Sequence, residues 1–350
     1  METYSTMQRA RLAELLDKMR GARVALIGDL CLDVYWLADM KKSELSRETP
    51  HFPLPIAEER LSLGGGANAA ANLAALRPAK VSVAGVVGAD WRGAELLRLL
   101  DAAGIDSSRI VTAKNIWTNA YCKPLRAGIS ELIYEDPRLD FCNYRPPDSD
   151  TEDRLIESLG ALAPEIDVLC VSDQLPFGAV TERVREKIIA LARNGLRVVA
   201  DSRDRIGLYT DVILKPNEVE AARAADMPPA RDLNGFAEIA RRFSRTSGCE
   251  VMMTVGSFGS LYADGDGVTH IPARAIPGEI DIVGAGDSFL SGFALGVAAG
   301  ASRPEAAFFA GLCSAVTIQQ IGVTGVAAPE QVLAWFERNY GNGVKYEGRK

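Results

Sequence analysis

The sequence predicts an α/β protein: a mostly parallel central sheet, covered by helices on both faces, with a small β-lid above one edge. Three observations predict it. Short apolar runs alternate with longer helical patterns along the chain. Many of the apolar runs end in Gly, Asp or Asn, residues suited to the carboxyl edge where such sheets bind ligands. Two polar, Pro-containing stretches break the rhythm and fit no strand–helix unit.

In chain order, METYSTMQRARLAELLDKMRG opens with an amphipathic helix whose Leu12, Leu15, Leu16 and Met19 recur at helical spacing. RVALIGDL (Arg23 to Leu30) reads as a buried strand, GANAAANLAAL (Gly66 to Leu76) as a small-residue helix and KVSVAGVVG (Lys80 to Gly88) as the next strand. WRGAELLRLLDAAG is the following helix. DVLCVSD, LRVVADS, DVILKPN and EVMMTVG continue the strands, with helices such as TERVREKIIALARNG between them. The interruptions at about 36–63 and 116–144 contain the strand-like HFPLPI, NAYCKPLRA and ELIYEDPRLDF. They predict a lid projecting over the carboxyl edge; ordinary surface excursions are the alternative. No internal repeat or interdomain linker is evident, so residues 1–350 are expected to form a single domain.

The composition narrows the function. The 350 residues are 47% hydrophobic and carry a formal charge of −7, scattered rather than gathered in a tail. Such a chain is a poor partner for nucleic acid. No apolar run approaches the ~20 residues that span a bilayer. The N-terminus lacks the apolar core of a secretory signal, so no membrane partner and a cytoplasmic location are expected. The six cysteines form no C-x-x-C pair and read as buried free thiols. With only His51 and His270, a His-based metal site or Ser-His-Asp triad is disfavoured, and a carboxylate is the expected base.

The most informative stretch is DIVGAGDSFLSGFALG, from Asp281 to Gly296. Gly284, Ala285 and Gly286 leave the backbone unobstructed in front of an apolar helix. Free N–H groups and the helix dipole at such a start form an anion hole. Asp287, in the same turn, is able to take a proton from a hydroxyl. Phosphoryl transfer needs this combination of charge stabilisation and an oriented alcohol. The alternative is an aspartate that caps a glycine turn. The loop is neither a G-x-x-x-x-G-K-[ST] nor a G-x-G-x-x-G element, which also disfavours a dinucleotide-dependent enzyme.

This stretch resembles the C-terminal signature of the ribokinase-like, or PfkB, carbohydrate kinases. GDLCLDVYW at Gly28 to Trp36, GGGANAAANLAAL at Gly64 to Leu76, KPNEVE at Lys215 to Glu220 and TVGSFGS at Thr254 to Ser260 are similar to further motifs of that family, in order, over roughly residues 22–335. The resemblance implies a ribokinase-like fold and a kinase using ATP and Mg²⁺. It makes Asp287 the catalytic base and Gly284, Ala285 and Gly286 the cradle of the transferring phosphate. Asp33 resembles the acid that binds sugar hydroxyls, for which a carboxylate's acceptors suit it; a strand-end turn is the alternative. Gly64, Gly65 and Asn68 would admit and read the sugar, or serve tight helix packing. Asn217 and Glu220 match the N-x-x-E element that organises Mg²⁺ through water, or cap a surface helix. Thr254, Gly256 and Gly259, with Gly322 and Gly325 in QIGVTGVA, would border the nucleotide. Val283 stands where many members have Thr, and the use of a monovalent cation is left open.

Within the family, GDLCLDVYW and the S/R/P/E-rich stretch before GGGAN are most similar to the heptose-7-phosphate kinase branch, which phosphorylates the anomeric hydroxyl of its substrate. A phosphorylated substrate needs cations at its far end. Arg47, Lys123, Arg126 and Arg203 are candidates; each is alternatively a solvated surface charge. GGGAN in place of the branch's GGAAN, and a longer second lid stretch, keep other sugars open, as well as a non-catalytic sugar or nucleotide sensor. The tail after Glu337, RNYGNGVKYEGRK, reads as polar, and a kinase without a fused nucleotidyltransferase is expected. A homodimer through the lids is expected because exposed sheet edges need covering.

Overall fold

The computed structural model describes residues 1–341. Its main sheet has ten strands. In spatial order they are Glu2–Thr3, Gly267–Ile271, Ser260–Asp264, Val251–Thr254, Ile213–Leu214, Arg197–Ser202, Val168–Asp173, Arg23–Gly28, Lys80–Gly88 and Asp106–Ala113. All neighbours pair in parallel except around Ser260–Asp264, which runs antiparallel to both of its neighbours. The strand Arg23–Gly28 shows why both faces are covered. Val24 and Leu26 enter one apolar cluster and Ala25 and Ile27 the other. That is the two-residue alternation of a strand buried on both sides. The first cluster holds the helices Arg9–Met19, Gly66–Ala75, Trp91–Ala102, Ala285–Ala298, Arg303–Thr317 and Pro329–Tyr340. The second holds Ser149–Leu162, Glu182–Arg193, Glu218–Ala224 and Leu233–Ser247.

The lid is a separate sheet of Leu30–Asp39, Ile56–Gly65, Asn119–Ala127, Tyr134–Glu135 and Leu139–Phe141. It begins earlier than the sequence suggests. The buried run Arg23 to Leu30 is not one strand: it stops at Gly28, the chain turns at Asp29, and Leu30 starts the lid. The N–H of Asp29 still bonds to Ser172 O of the main sheet, while its own carbonyl accepts from Gly66 N. Continuing apolar residues hide this change of sheet. Likewise the second lid strand runs on to Gly65, beyond position 63. One lid face buries Leu32, Val34, Ala120 and Cys122. The other presents Asp33, Tyr35, Ser62, Arg60, Tyr121 and Lys123, by alternation and by the pairs Asp33↔Ser62, Tyr35↔Arg60 and Asp33↔Tyr121.

At the C-terminal end the expected polar tail is helical as far as Tyr340, because Val332, Trp335 and Phe336 pack into the first cluster. The rest of that tail, 342–350, lies outside the described residues. The six cysteines are free, and all but Cys142 are buried. Among the described residues no helix is long and apolar enough to cross a membrane.

Candidate active site

The helix Ala285–Ala298 starts at the carboxyl edge of the main sheet, and Gly284 sets its entry. Gly284 occupies the left-handed region (φ 80°), where a side chain is strained, and an added Cβ would stand 3.1 Å from Asn68 Nδ2. Gly284 is the helix cap residue, and no side chain caps this end. Asp287 is therefore not a cap but the third helical residue, which leaves its carboxylate available. The N–H groups of Gly286 and Asp287 lie in the first turn without an intrahelical acceptor. Ala285 differs: its N–H is already bonded to Ile282 O at 3.1 Å, so its place in the cradle is limited to small size.

Asp287 Oδ2 accepts a 2.7 Å hydrogen bond from Asn68 Nδ2. Burial raises its pKa from 3.8 to about 7, against the Asn68 bond and the Lys215 charge; Asp201 and Asp33 push the same way as burial. Asn68 itself is 2% exposed. Sequence reasoning gave it to the sugar, but its amide hydrogens face the candidate base.

Asp33 faces this group from the lid. It is buried, and desolvation raises its pKa while Lys123, Arg138 and Arg60 oppose the rise. Lys123 Nζ lies 4.0 Å from its Oδ2. Gly64 is obligatory beside it, because a Cβ there would fall well inside van der Waals distance of Asp33 Oδ1. Gly65 follows at the junction with the helix Gly66–Ala75, again with φ positive at 53°. Tyr35 is clasped between two cations, with Arg60 over its ring at 4.2 Å and Lys123 at 4.7 Å. Arg138, joined to Asp140 by two bonds, covers Tyr121. Arg60 and Arg138 were not singled out in the sequence; strand alternation on the lid is the signal that finds them. Of the cations that were, Lys123 reaches Asp33. Arg203 stands exposed just after the strand Arg197–Ser202, and its charge acts on Tyr121 and Glu220. Arg126 lies on the lid face opposite Lys123 and pairs with Asp136. Arg47 is exposed between Lys42 and Ile56, with no hydrogen bond or ion pair to the site among the described residues.

The floor is made by residues at strand ends. Asp29 accepts three N–H bonds, from Gln174, Leu175 and Ala179, each at 2.7 Å. It thereby holds the loop after Val168–Asp173 in place. Lys215 and Asp201 form a buried pair at 2.9 Å that sequence reasoning missed. Burial works against the Lys215 ammonium, but Asp201, Glu220 and Asp287 overcome it and hold its pKa above the usual value. A lysine closing the apolar run DVIL was the available signal.

Asn217 and Glu220 form a reciprocal capping box. Asn217 Oδ1 accepts from Glu220 N at 2.8 Å and Glu220 Oε2 from Asn217 N at 2.8 Å. Glu220 Oε1 takes no bond among the described residues and faces Lys215 and Asp201 electrostatically. No cluster of three or more His, Cys, Asp or Glu suited to a metal occurs among the described residues. One free carboxylate oxygen beside an amide fits Mg²⁺, which keeps most of its waters, and does not make a closed cage.

At a neighbouring strand end Thr254 pairs with Asn217 through an isolated bridge, and its N–H bonds to Pro216 O at 3.0 Å. Gly256 and Gly259 flank the short turn that follows. Gly322 N donates to Asp281 Oδ2 at 3.1 Å, and Gly322 O accepts from Arg60 of the lid at 2.9 Å. Asp281 also receives Val283 N at 3.0 Å. Gly325 is buried under the end of the helix Arg303–Thr317.

A helix start that carries a candidate base, an acid on a lid and a glycine-bordered edge fit a phosphotransferase of the sugar-kinase type. The chain belongs to the pfkB family of carbohydrate kinases, whose model matches residues 24–331. It is similar to the bifunctional protein HldE of Hyphomonas neptunium, 31% identical over 92% of this chain and 65% of that protein. The HldE of a Caulobacter species is 32% identical over 92% of this chain and 64% of its own length. The chain thus spans just under two thirds of the length of these relatives. Among solved structures, Arabidopsis thaliana ribokinase complexed with ribose and ATP superposes with a TM-score of 0.68, at 19% identity, covering 91% of this chain and 99% of that one. Escherichia coli phosphofructokinase-2 in complex with fructose-6-phosphate gives 0.70 at 18%, with the same coverage. The ribokinase-like α/β fold and an ATP-dependent sugar kinase activity follow.

Proposed function

We propose that this kinase phosphorylates the anomeric hydroxyl of a heptose 7-phosphate, with Asp287 as base. The observation that carries the base assignment is the uncapped helix start. It sets a desolvated carboxylate beside the N–H groups of Gly286 and Asp287, which find no acceptor among the described residues. Asp33 holds sugar hydroxyls so that one of them faces Asp287 Oδ. As the γ-phosphoryl group moves to that oxygen, Asp287 takes its proton, and the N–H groups bind the developing charge. Asn217 and Glu220 are the residues that would hold Mg²⁺, which when bound would neutralise charge on the phosphates. Lys215 adds a fixed positive charge beneath them. Thr254, Gly256, Gly259 and Gly322 border the nucleotide, and the buried Gly325 packs beneath them against Thr317 O. Lys123, Arg60 and Arg138 around Asp33 support a substrate that carries an anion at its far end. The similarity to HldE proteins supports the heptose. A monovalent cation stays open in this scheme.

The reading extends to assembly. Ile129, Leu132, Ile133, Tyr134 and Leu139 are exposed on the lid, which supports a homodimer through this element. Light scattering on eluting protein tests it, and a monomer at working concentration removes it. A cytoplasmic location, where ATP is made and free thiols stay reduced, belongs to the same proposal. The activity is tested by ADP release against a panel of sugars and sugar phosphates that includes heptose 7-phosphate, with Asp287→Asn as control. Strong turnover of heptose 7-phosphate supports the full reading. Turnover of another sugar keeps the kinase and discards the heptose. ATP binding without turnover across the panel favours a sensor.

A further inference from the structure

The helix Gly66–Ala75 reads GANAAANLAA, and apart from its glycine every residue but Asn68 and Asn72 is Ala or Leu. The two asparagines lie one turn apart on one face. Each is 2% exposed. Asn72 is costly there, because its Oδ1 is buried with no hydrogen-bond donor among the described residues. Packing alone would favour another alanine or leucine.

The hydrogen bonds show what Asn72 does. Its Nδ2 donates to the main-chain carbonyl of Asn68 at 3.0 Å and leans on Asn68 Oδ1 at 3.4 Å. A main-chain carbonyl only accepts, so the Asn72 amide has one possible orientation. That orientation offers a donor to Asn68 Oδ1 and thereby settles the second amide. Asn68 is left with its NH₂ group toward Asp287 Oδ2, 2.7 Å away. A reversed Asn68 would set an oxygen against a carboxylate, two acceptors in contact.

We propose that Asn72 is a positioning residue: through a relay from a main-chain carbonyl it fixes the Asn68 amide so that the amide donates to the Asp287 carboxylate. The inference rests on the reading of Asp287 as base. Four groups face that carboxylate. Asn68 comes from this helix, Lys215 and Asp201 from strand ends of the main sheet, and Asp33 from the lid. Asn68 and Lys215 favour its ionised form, while Asp201 and Asp33 oppose it. Loss of the relay therefore raises the pH at which the base ionises.

The test is the pH dependence of kcat for Asn72→Leu, measured beside the unaltered protein with its best sugar substrate. The acidic limb is expected to move up by about one pH unit, the scale of one charge-assisted hydrogen bond. At pH 6.5 kcat falls about tenfold, with both KM values within twofold. A merely structural asparagine would lower the melting temperature and leave the limb where it was. Asn72→Ala removes the same donor without added bulk and gives the same displacement where the leucine variant does not fold. In an Asn68→Ala background the Asn72 substitution adds nothing to the limb, since the relay is already cut. An unmoved limb in a folded Asn72 variant, or full additivity with Asn68→Ala, overturns the relay. Asp287→Asn separates the two claims: if it retains turnover, the base reading fails and the relay falls with it. If it is inactive while Asn72→Leu keeps the parent limb, only the relay fails.

Discussion

Replacing Asp287 with asparagine is expected to make the protein inactive and more stable at once. The side chain keeps its shape, and its oxygen still accepts from Asn68 Nδ2. Turnover falls about 100-fold or more, the usual contribution of a positioned general base, while ATP still binds. The gain in stability follows from the carboxyl's pKa, raised by burial from 3.8 to about 7. The folded state holds a proton that the unfolded chain releases above pH 4, so stability falls as pH rises through this window and the loss is complete above about pH 7. Three units correspond to about 4 kcal/mol, and partial exposure of the residue reduces this to about 2 kcal/mol. For 350 residues that is a rise of about 3 °C in melting temperature. The assay is a melting series from pH 5 to 8 on parent and variant, with ADP release measured on the same samples. The variant's advantage should be greatest at pH 8 and shrink steadily toward pH 5. Turnover within tenfold of the parent, or a stability difference that does not change with pH, refutes the reasoning.

Other substitutions probe the remaining parts. Gly64→Ala displaces the Asp33 carboxylate and should raise the sugar KM by about tenfold or more, the worth of a hydrogen bond to a charged group, with the ATP KM unchanged; initial-rate kinetics decide it. Arg60→Ala removes the bond from the lid to Gly322 O and a cation near Asp33. The KM for a phosphorylated sugar should rise more than for its unphosphorylated counterpart, and an equal rise would assign Arg60 to the lid alone. Lys215→Met strands Asp201 in a buried position and should cost about 3 kcal/mol in a denaturant titration; an unchanged midpoint would mean that Asp201 is solvated.

The parts of the site that were legible in the sequence are those whose signal is local. The glycine turn before Asp287, the capping pattern at Asn217 and Glu220, and the two breaks in the strand–helix rhythm each lie within one short window. Partners brought together by folding were not legible. Asn68 and Asp287 are 219 positions apart, and only the packing of one helix on another brings the amide onto that carboxylate. The same holds for Lys215 with Asp201, whose charges fall at the ends of adjacent strands. The change of sheet at Asp29 was hidden because both sheets bury the same kind of residue there. The hairpin Ser260–Asp264 to Gly267–Ile271 was legible in principle, since SLYADGDGVTHI sets turn residues between alternating strands.

The helix that carries Asp287 also closes the first apolar cluster, together with Arg303–Thr317. One face of the strand Arg23–Gly28 is roofed by Gly66–Ala75 and, in part, by Ala285–Ala298 from the last fifth of the chain. During synthesis the cluster that holds Val24 and Leu26 stays incomplete until Leu290, Phe293 and Phe309 leave the ribosome. A nascent chain stopped short of Ala285 leaves part of that cluster open to water and to its neighbours, so truncated products should aggregate or occupy chaperones rather than persist as partly folded proteins. The candidate base therefore arrives with the helices that complete the first apolar cluster.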